Sequence, residues 1–235
     1  MMNTRVDSIQ LVLFSPGIVI FDVLKAGVTI REKYLNVLDG EPVILPIPDD
    51  APVEIPRIQM SSKDKTYNLS ISKNRVDLIL RYKKDEFSNV SSFEELFENF
   101  LSLFQYLKNE LNAKVTRLAI VTHWVIEEDS GSSAEHLLSK YINKEAPIAR
   151  PRELEIHCLN RETLSDFEAN KWTRIRSAHD ISLPHEDRLI SFLLDINTLA
   201  ENTYDFKKES IQAFLEESVR IMKSTLESHL SLLGE

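Results

Sequence analysis

A short segment late in the chain gathers imidazoles and carboxylates: His179-Asp180, then His185-Glu186-Asp187, with Pro184 between them. Neutral imidazole and carboxylate together suit zinc, manganese or iron. His157 upstream and Asp195 downstream complete a His…His-Asp…Asp order, and His123 stands in an earlier apolar run. His179, Asp180, His185 and Asp187 are therefore candidate ligands of a metal-dependent hydrolase. Hydrolases with that order carry these ligands on helices. Pro184 and the alternating residues on either side predict strands joined by a polar loop instead.

Other chemistries fall short of a full set. Asp166, Glu168 and Lys171 approach the carboxylate-pair-plus-lysine pattern of a nuclease, but the step from Glu168 to Lys171 is three residues where the pattern needs two. Cys158 follows His157 directly. Neighbours on a strand point to opposite faces, so the two make no dyad, and Cys158 alternates with Leu154 and Ile156 as a small core residue would. His123 beside Trp124 is expected to be a core histidine with satisfied ring nitrogens. The five glycines are scattered, so no loop can bring clustered backbone N–H groups to a phosphate. No Gly-x-Ser-x-Gly elbow is present, and within Ser130-Gly131-Ser132-Ser133 either Ser132 or Ser133 reads as a helix cap. No catalytic residue and no cofactor are assigned.

The net charge of −9 excludes a protein whose whole surface tracks phosphate. Acids cluster at Asp85, Glu86, Glu94, Glu95 and Glu98, and again at Glu127, Glu128, Asp129 and Glu135. The opposite sign gathers at Lys171, Arg174 and Arg176 around Trp172, with Arg150 and Arg152 upstream. A basic strand with one stacking aromatic is the pattern of a nucleic-acid-binding surface, and these six residues carry that alternative.

The elements that must hold these residues follow from periodicity. Val6 to Phe14 reads as a strand ending at Ser15-Pro16-Gly17. Ile20, Val23, Leu24, Gly27, Tyr34, Leu35 and Leu38 then recur at helical spacing through Val37. Gly27 weakens that helix unless a neighbour packs closely upon it. Residues 41–56 hold Pro42, Pro46, Pro48, Pro52 and Pro56, which predicts an extended arm. Its apolar residues Val43, Ile44, Leu45, Ile47, Val53 and Ile55 are candidate partner contacts. Strands follow at Ile58–Met60, Tyr67–Ile71 and Val76–Tyr82, the last two joined by a tight Lys73-Asn74 turn with Asn74 suited to positive φ. Ser92 and Glu95 form a capping box ahead of a helix striped by Phe93, Leu96, Phe97, Phe100, Leu101, Phe104, Leu107 and Leu111. The second half runs in the same order: a strand over Val115–Ile126, a short helix over Ser132–Ile142, strands over Leu154–Leu159, Ala169–Ser177 and Leu189–Ile196, and a long helix over Phe206–Leu232.

The expected fold is thus α+β, with a largely antiparallel sheet and long amphipathic helices. Two pseudo-repeated strand–helix–three strands–helix units of ferredoxin-like type span 1–113 and 114–235. Tandem ferredoxin-like units also occur in CRISPR RNA-processing endonucleases, but those carry a glycine-rich loop near the C-terminus. Here the C-terminal segment is an amphipathic helix ending Leu232-Leu233-Gly234-Glu235.

Four short features bear on family: Gln10 to Phe14 leading into a helix, a strand ending Arg81-Tyr82, a strand opening Arg117-Leu118, and Leu194-Asp195-Ile196-Asn197 ahead of the C-terminal helix. In these the chain resembles a sporadically distributed family of uncharacterised bacterial proteins of about this length. Thr122-His123-Trp124 stands where that family continues Arg-Tyr-x-Asn. The resemblance implies an accessory protein of mobile or defence-type gene clusters and implies no activity.

The function expected is that of a non-enzymatic accessory or adaptor subunit working through protein–protein contact in a bacterial multi-component system. Nucleic-acid binding is the alternative, and metal-dependent hydrolysis the third reading. Uncovered strand edges also admit pairing with a second copy of the chain. No apolar run reaches the length of a membrane span and no secretory leader opens the chain, so the expected compartment is the cytoplasm.

Overall fold

Alternating side chains build most of this molecule. In β1 (Asn3–Phe14), Ile9, Leu11 and Leu13 are fully buried, while Gln10 and Phe14 between and beyond them are only half-buried. The computed structural model describes residues 3–16, 18, 23–34, 36–48, 50–82, 92–110, 113–127, 131–142, 147–148, 150–178 and 188–234. After β1 come α1 (Val23–Lys33), β2 (Val43–Ile44), β3 (Ile58–Ser61), β4 (Tyr67–Ile71), β5 (Arg75–Arg81) and α2 (Ser92–Glu110). Then follow β6 (Arg117–Glu127), α3 (Ser133–Tyr141), β7 (Glu155–Leu164), β8 (Phe167–Ala178), β9 (Leu189–Thr198) and α4 (Lys208–Gly234).

All nine strands join one sheet in the order β2-β3-β4-β5-β1-β6-β9-β8-β7, every pair antiparallel. The α+β class and the antiparallel sheet are those expected. The helices are not uniformly long: α2 has 19 residues and α4 has 27, but α1 has 11 and α3 has 9. No described helix is long and apolar enough to cross a membrane.

The four described helices lie on one face. Along the register, Met60, Leu69, Leu78, Leu11, Ile120 and Ile196 stand side by side, with Thr122 and Phe192 on the same face. Met60 reaches α1 beside Gly27. Leu69 and Leu78 share a small cavity with Tyr34 and with Leu103 of α2. Thr122 donates to Met222 Sδ of α4 at 3.5 Å, and Phe192 meets the His229 ring at 4.9 Å between centroids. Helix α3 is clamped to α4: the His136 ring Nε2 meets the Leu233 carbonyl at 3.0 Å, and the Tyr141 hydroxyl donates to His229 Nδ1 at 2.7 Å. Burial pushes Tyr141 up to about 12 and holds His229 below its usual value, with Lys171 adding to the latter, so the phenol keeps its proton and the imidazole nitrogen accepts the hydrogen bond. Each large apolar side chain fully buried between the layers contributes roughly 1.5–3 kcal/mol.

Several local expectations change. Helix α1 stops at Lys33, and Leu38 N–H closes a turn back to the Tyr34 carbonyl. Positive φ falls at Lys65, Arg150, Ser165 and Gly131, and Asn74 does not need it. Ser132 is the N-cap of α3, accepting from Glu135 N–H. The side chains of the Ser92–Glu95 box lie outside the described residues. Strand β7 runs on to Leu164, and only Leu164 in it is buried. Cys158 is exposed, contrary to the core role expected from its alternation. The alternation does set its face, but β7 is the edge strand and little of the helix layer reaches it.

The proline-rich arm is mostly surface. Pro42 and Pro46 bracket β2 and restrict it to two residues. Val43, Val53 and Ile55 are exposed, Leu45 and Ile47 half-buried, and Ile44 packs on α1. A Cβ at Gly27 would lie 3.0 Å from the Ile44 methyl, the close approach its position in a helix called for. At Gly40 a Cβ would fall 2.4 Å from the Ser61 carbonyl oxygen, a backbone atom already bonded to Gly40 N–H at 2.9 Å. Gly40→Ala is therefore expected to destabilise by roughly 1–3 kcal/mol, because backbone must move. Gly27→Ala is expected to be within about 1 kcal/mol of neutral, since a flexible side chain yields and helix propensity improves. Urea midpoints of the two variants check this contrast.

Candidate functional site

The face turned away from the helices carries no covering element among the described residues. Its described strand cations are Arg5, Arg75, Arg81, Arg117, Arg161, Arg174 and Arg176, and none is lysine. Some are committed within the sheet. Arg5 is ion-paired with Glu127. Arg75 binds Asp77 through Nε and Nη2 at 2.9 and 2.6 Å, while Gln10 donates to the same carboxylate oxygen at 2.7 Å. Arg75 and Arg117 lie over the Phe14 ring, at 5.3 and 5.0 Å from its centre. Arg117 also donates to Asn197 Oδ1 at 2.6 Å, and Asn197 donates to Asp195 at 2.8 Å.

A cleft of about 310 Å³ lies on this face over β1, β6, β9, β8 and β7, lined by Ser8, Gln10, Val121, His123, Glu155, Arg174, Arg176, Ser191 and Leu193. Its floor holds a three-residue relay. His123 Nδ1 lies 3.0 Å from Asp7 Oδ2, and His123 Nε2 lies 2.7 Å from Ser191 Oγ. A carboxylate only accepts, so Nδ1 carries the proton and Nε2 is left to face the serine hydroxyl. The hydrogen bond from His123 holds the Asp7 carboxyl below its usual range against the opposing effect of burial, and the charges of His123, Arg81 and Arg5 act the same way. A local irregularity delivers Asp7: the β1–β6 register shifts between Val6 and Ser8, and the extra residue of this bulge turns its carboxylate towards His123. His123 is therefore satisfied, as expected, but on the open face and not in the core.

Carboxylate, imidazole and hydroxyl in this order form the relay of acyl-transfer catalysis. Here Ser191 lies inside β9 and is paired with Val125 of β6 on one side and Arg176 of β8 on the other. The backbone N–H groups that would hold an oxyanion are thus engaged in the ladder. The groups left to meet a ligand in the cleft are the guanidinium groups of Arg174 and Arg176. Among the described residues neither is ion-paired, and both are exposed. Arg174 lies 5.7 Å from the Trp172 ring centre. Glu155 opposite them is bonded to His157 at 2.8 Å, and that bond, then the charges of His157, Arg176 and Arg174, keeps it ionised below its usual range.

The expected basic cluster is thereby divided. Trp172, Arg174 and Arg176 share the open face. Lys171 points to the helix side, where it pairs with Glu162 at 2.7 Å. Alternation along β8 requires this, because odd and even positions cannot share a face. Arg150 and Arg152 are exposed in the loop before β7. His179, Asp180, His185 and Asp187 lie outside the described residues, and no group of metal-ligating side chains forms among those described. His157 and Asp195 share the open face, but His157 is bonded to Glu155 and Asp195 accepts from Asn197. Asp166, in the β7–β8 turn, accepts from Ser210 of α4, and Glu168 and Lys171 lie on opposite faces of β8, so the carboxylate pair and lysine do not converge. The Asp7–His123–Ser191 relay was not read from sequence; its members are 116 and 68 residues apart, and the bulge at Asp7 has no local signature.

No protein-family model matches the chain, and no curated protein matches its sequence.

Two outcomes are expected of the relay. Asp7 stabilises the fold fully above the ordinary carboxylate value of 3.8, and that contribution disappears as pH falls through its lowered value in the folded state. Asp7→Asn should therefore flatten the acid limb of a stability–pH profile measured by urea unfolding. With its oxyanion donors engaged, Ser191 should also resist a fluorophosphonate probe. Stoichiometric labelling that disappears in His123→Ala would instead reveal a nucleophile.

Proposed function

We propose that the chain is a non-enzymatic accessory subunit that holds a protein partner on the open face of its sheet. The carrying observation is the composition of that face: strand cations that are all arginine among the described residues, flanked by Trp172 and His157 and interspersed with Asp77, Glu155 and Asp195. Arginine and tryptophan are enriched, and lysine depleted, where proteins bind proteins. Planar guanidinium groups and a half-exposed indole, already oriented by strands, lose little freedom on binding and make strong anchors. The bacterial, defence-type setting rests on the family resemblance alone.

We read the two halves, 1–113 and 114–235, as pseudo-repeats. From the central β1–β6 pair the order runs outward as β5, β4, β3 on one side and β9, β8, β7 on the other, which supports this reading. In each half the first strand is central and the three last strands return towards it from the outside, with the two-residue β2 an addition at the edge of the first half, as duplication of one layered unit of ferredoxin-like type would leave them.

A second reading has its own support. Trp172 beside Arg174, with Arg176 one step further, offers a stacking ring and two unpaired guanidinium groups to single-stranded nucleic acid. One experiment separates the two. The tagged protein is captured from its native cell with and without nuclease, alongside a folded Trp172→Ala/Arg174→Glu/Arg176→Glu variant. A stoichiometric protein that survives nuclease and falls by about 30-fold or more with the variant is the expected result. Nucleic acid alone, released as salt rises, would overturn the protein reading in favour of the second. A partner retained equally by the variant would remove the open face from both.

A further inference from the structure

The two edges of the sheet are unlike. The β2 edge is two residues long and bracketed by prolines, a common way of closing an edge to further pairing. The opposite edge, β7, is ten residues long, contains no proline, and is exposed on both faces over most of its length. No described element pairs with its outer side. Leu159 is 44% exposed there, and Cys158 beside it is also exposed.

The direction of the free backbone groups follows from the ladder. Ser177 N–H donates to the Leu154 carbonyl, and these two residues face each other one step before the β7–β8 register begins. Hydrogen-bonded and non-hydrogen-bonded pairs alternate along an antiparallel ladder. Even-numbered residues of β7 therefore bond to β8, while Glu155, His157, Leu159, Arg161 and Thr163 present their N–H and C=O groups outward.

We propose that two copies of the chain join along β7, antiparallel about a two-fold axis at Cys158, so that one sheet continues into the other. In this register Glu155 of each copy faces Arg161 of the second copy, giving two symmetric ion pairs on the open face in exchange for the contacts of Glu155 with His157 and of Arg161 with Glu201 in the single chain. Ile156 faces Asn160, and His157 faces Leu159. Moving the axis to Leu159 would set His157 against Arg161 and bury Ile156 against Glu162, losing both ion pairs. The charges that keep this edge from indiscriminate pairing are thus complementary to themselves in one register. A two-fold axis requires such self-complementarity. The proposal concerns the sheet edge and stands independently of what binds the open face.

The register carries its own reporter, because Cys158 is the only cysteine of the chain. Cys158 is even-numbered, so the two copies meet there at a non-hydrogen-bonded position. Cα atoms lie about 4.5 Å apart at such a position, within the range a disulfide spans. The full-length protein is expected to sediment as a dimer under reducing conditions. Copper–phenanthroline should convert it rapidly to a covalent dimer on a non-reducing gel. Cys158→Ser should stay dimeric and lose the cross-link. Arg161→Glu should raise the dimer dissociation constant by about ten-fold, since two attractive pairs become repulsive, and Glu155→Arg/Arg161→Glu should restore it. A reduced protein that is monomeric at every concentration overturns the proposal. So does a dimer that neither cross-links at Cys158 nor responds to Arg161→Glu.

Discussion

The pairing of β1 with β6 is the contact on which the rest depends. Eleven residue pairs run from Asn3–Glu127 to Phe14–Arg117, and they join the two halves of the chain into one sheet. On its buried face this pair contributes Ile9, Leu11 and Leu13 against Thr122, Ile120 and Leu118, all with exposures of 1% or less. Through these side chains a single apolar layer continues from Met60 on one side to Ile196 on the other. The same pairing contains the bulge that turns Asp7 towards His123, so the join between the halves also builds the floor of the cleft.

One-sided covering follows from that continuity. The described helices share the layer beneath the sheet, and α2 and α4 enclose a groove between them lined by Phe97, Leu101 and Val219 among polar neighbours. Their apolar stripes are used against the sheet and against one another. The opposite face carries its own polar network: Arg75 with Asp77, Gln10 with Asp77, Arg117 with Asn197, Asn197 with Asp195. These contacts fix several arginines in place while the sheet surface remains open among the described residues. Arg174 and Arg176 stand out because the acid nearest them, Glu155, is already engaged by His157.

The second consequence concerns the sheet ends. A nine-stranded sheet assembled from a central pair has two edges, and the chain treats them differently. Prolines close the β2 side, while β7 keeps a full-length strand whose charges are spaced for its own reflection. The exposure of Cys158 belongs to the same feature: its face was set by alternation, but the strand carrying it lies at the margin of the helix layer.

What the residue order determined alone was everything with a short period. Tyr67, Leu69 and Ile71 alternating with polar residues specify a strand wherever they lie, and the repeat of Phe100, Leu101, Phe104 and Leu107 specifies a helix with one apolar side. A cap at Ser132 or Ser133 was legible for the same reason, since it bonds within a turn, whereas the close approach at Gly27 stayed conditional because Ile44 and Met60, which meet it, lie far along the chain. The length of β7 was underread because its exposed positions carry no apolar rhythm to mark them. Tertiary structure alone decided which strands became neighbours. That choice placed Lys171 and Arg174 on opposite faces of a strand that reads as uniformly basic, left Cys158 at an edge, and brought Asp7, His123 and Ser191 together from three separate strands. Hydrogen bonds across a sheet are indifferent to sequence distance, so no local pattern of residues encodes such a meeting.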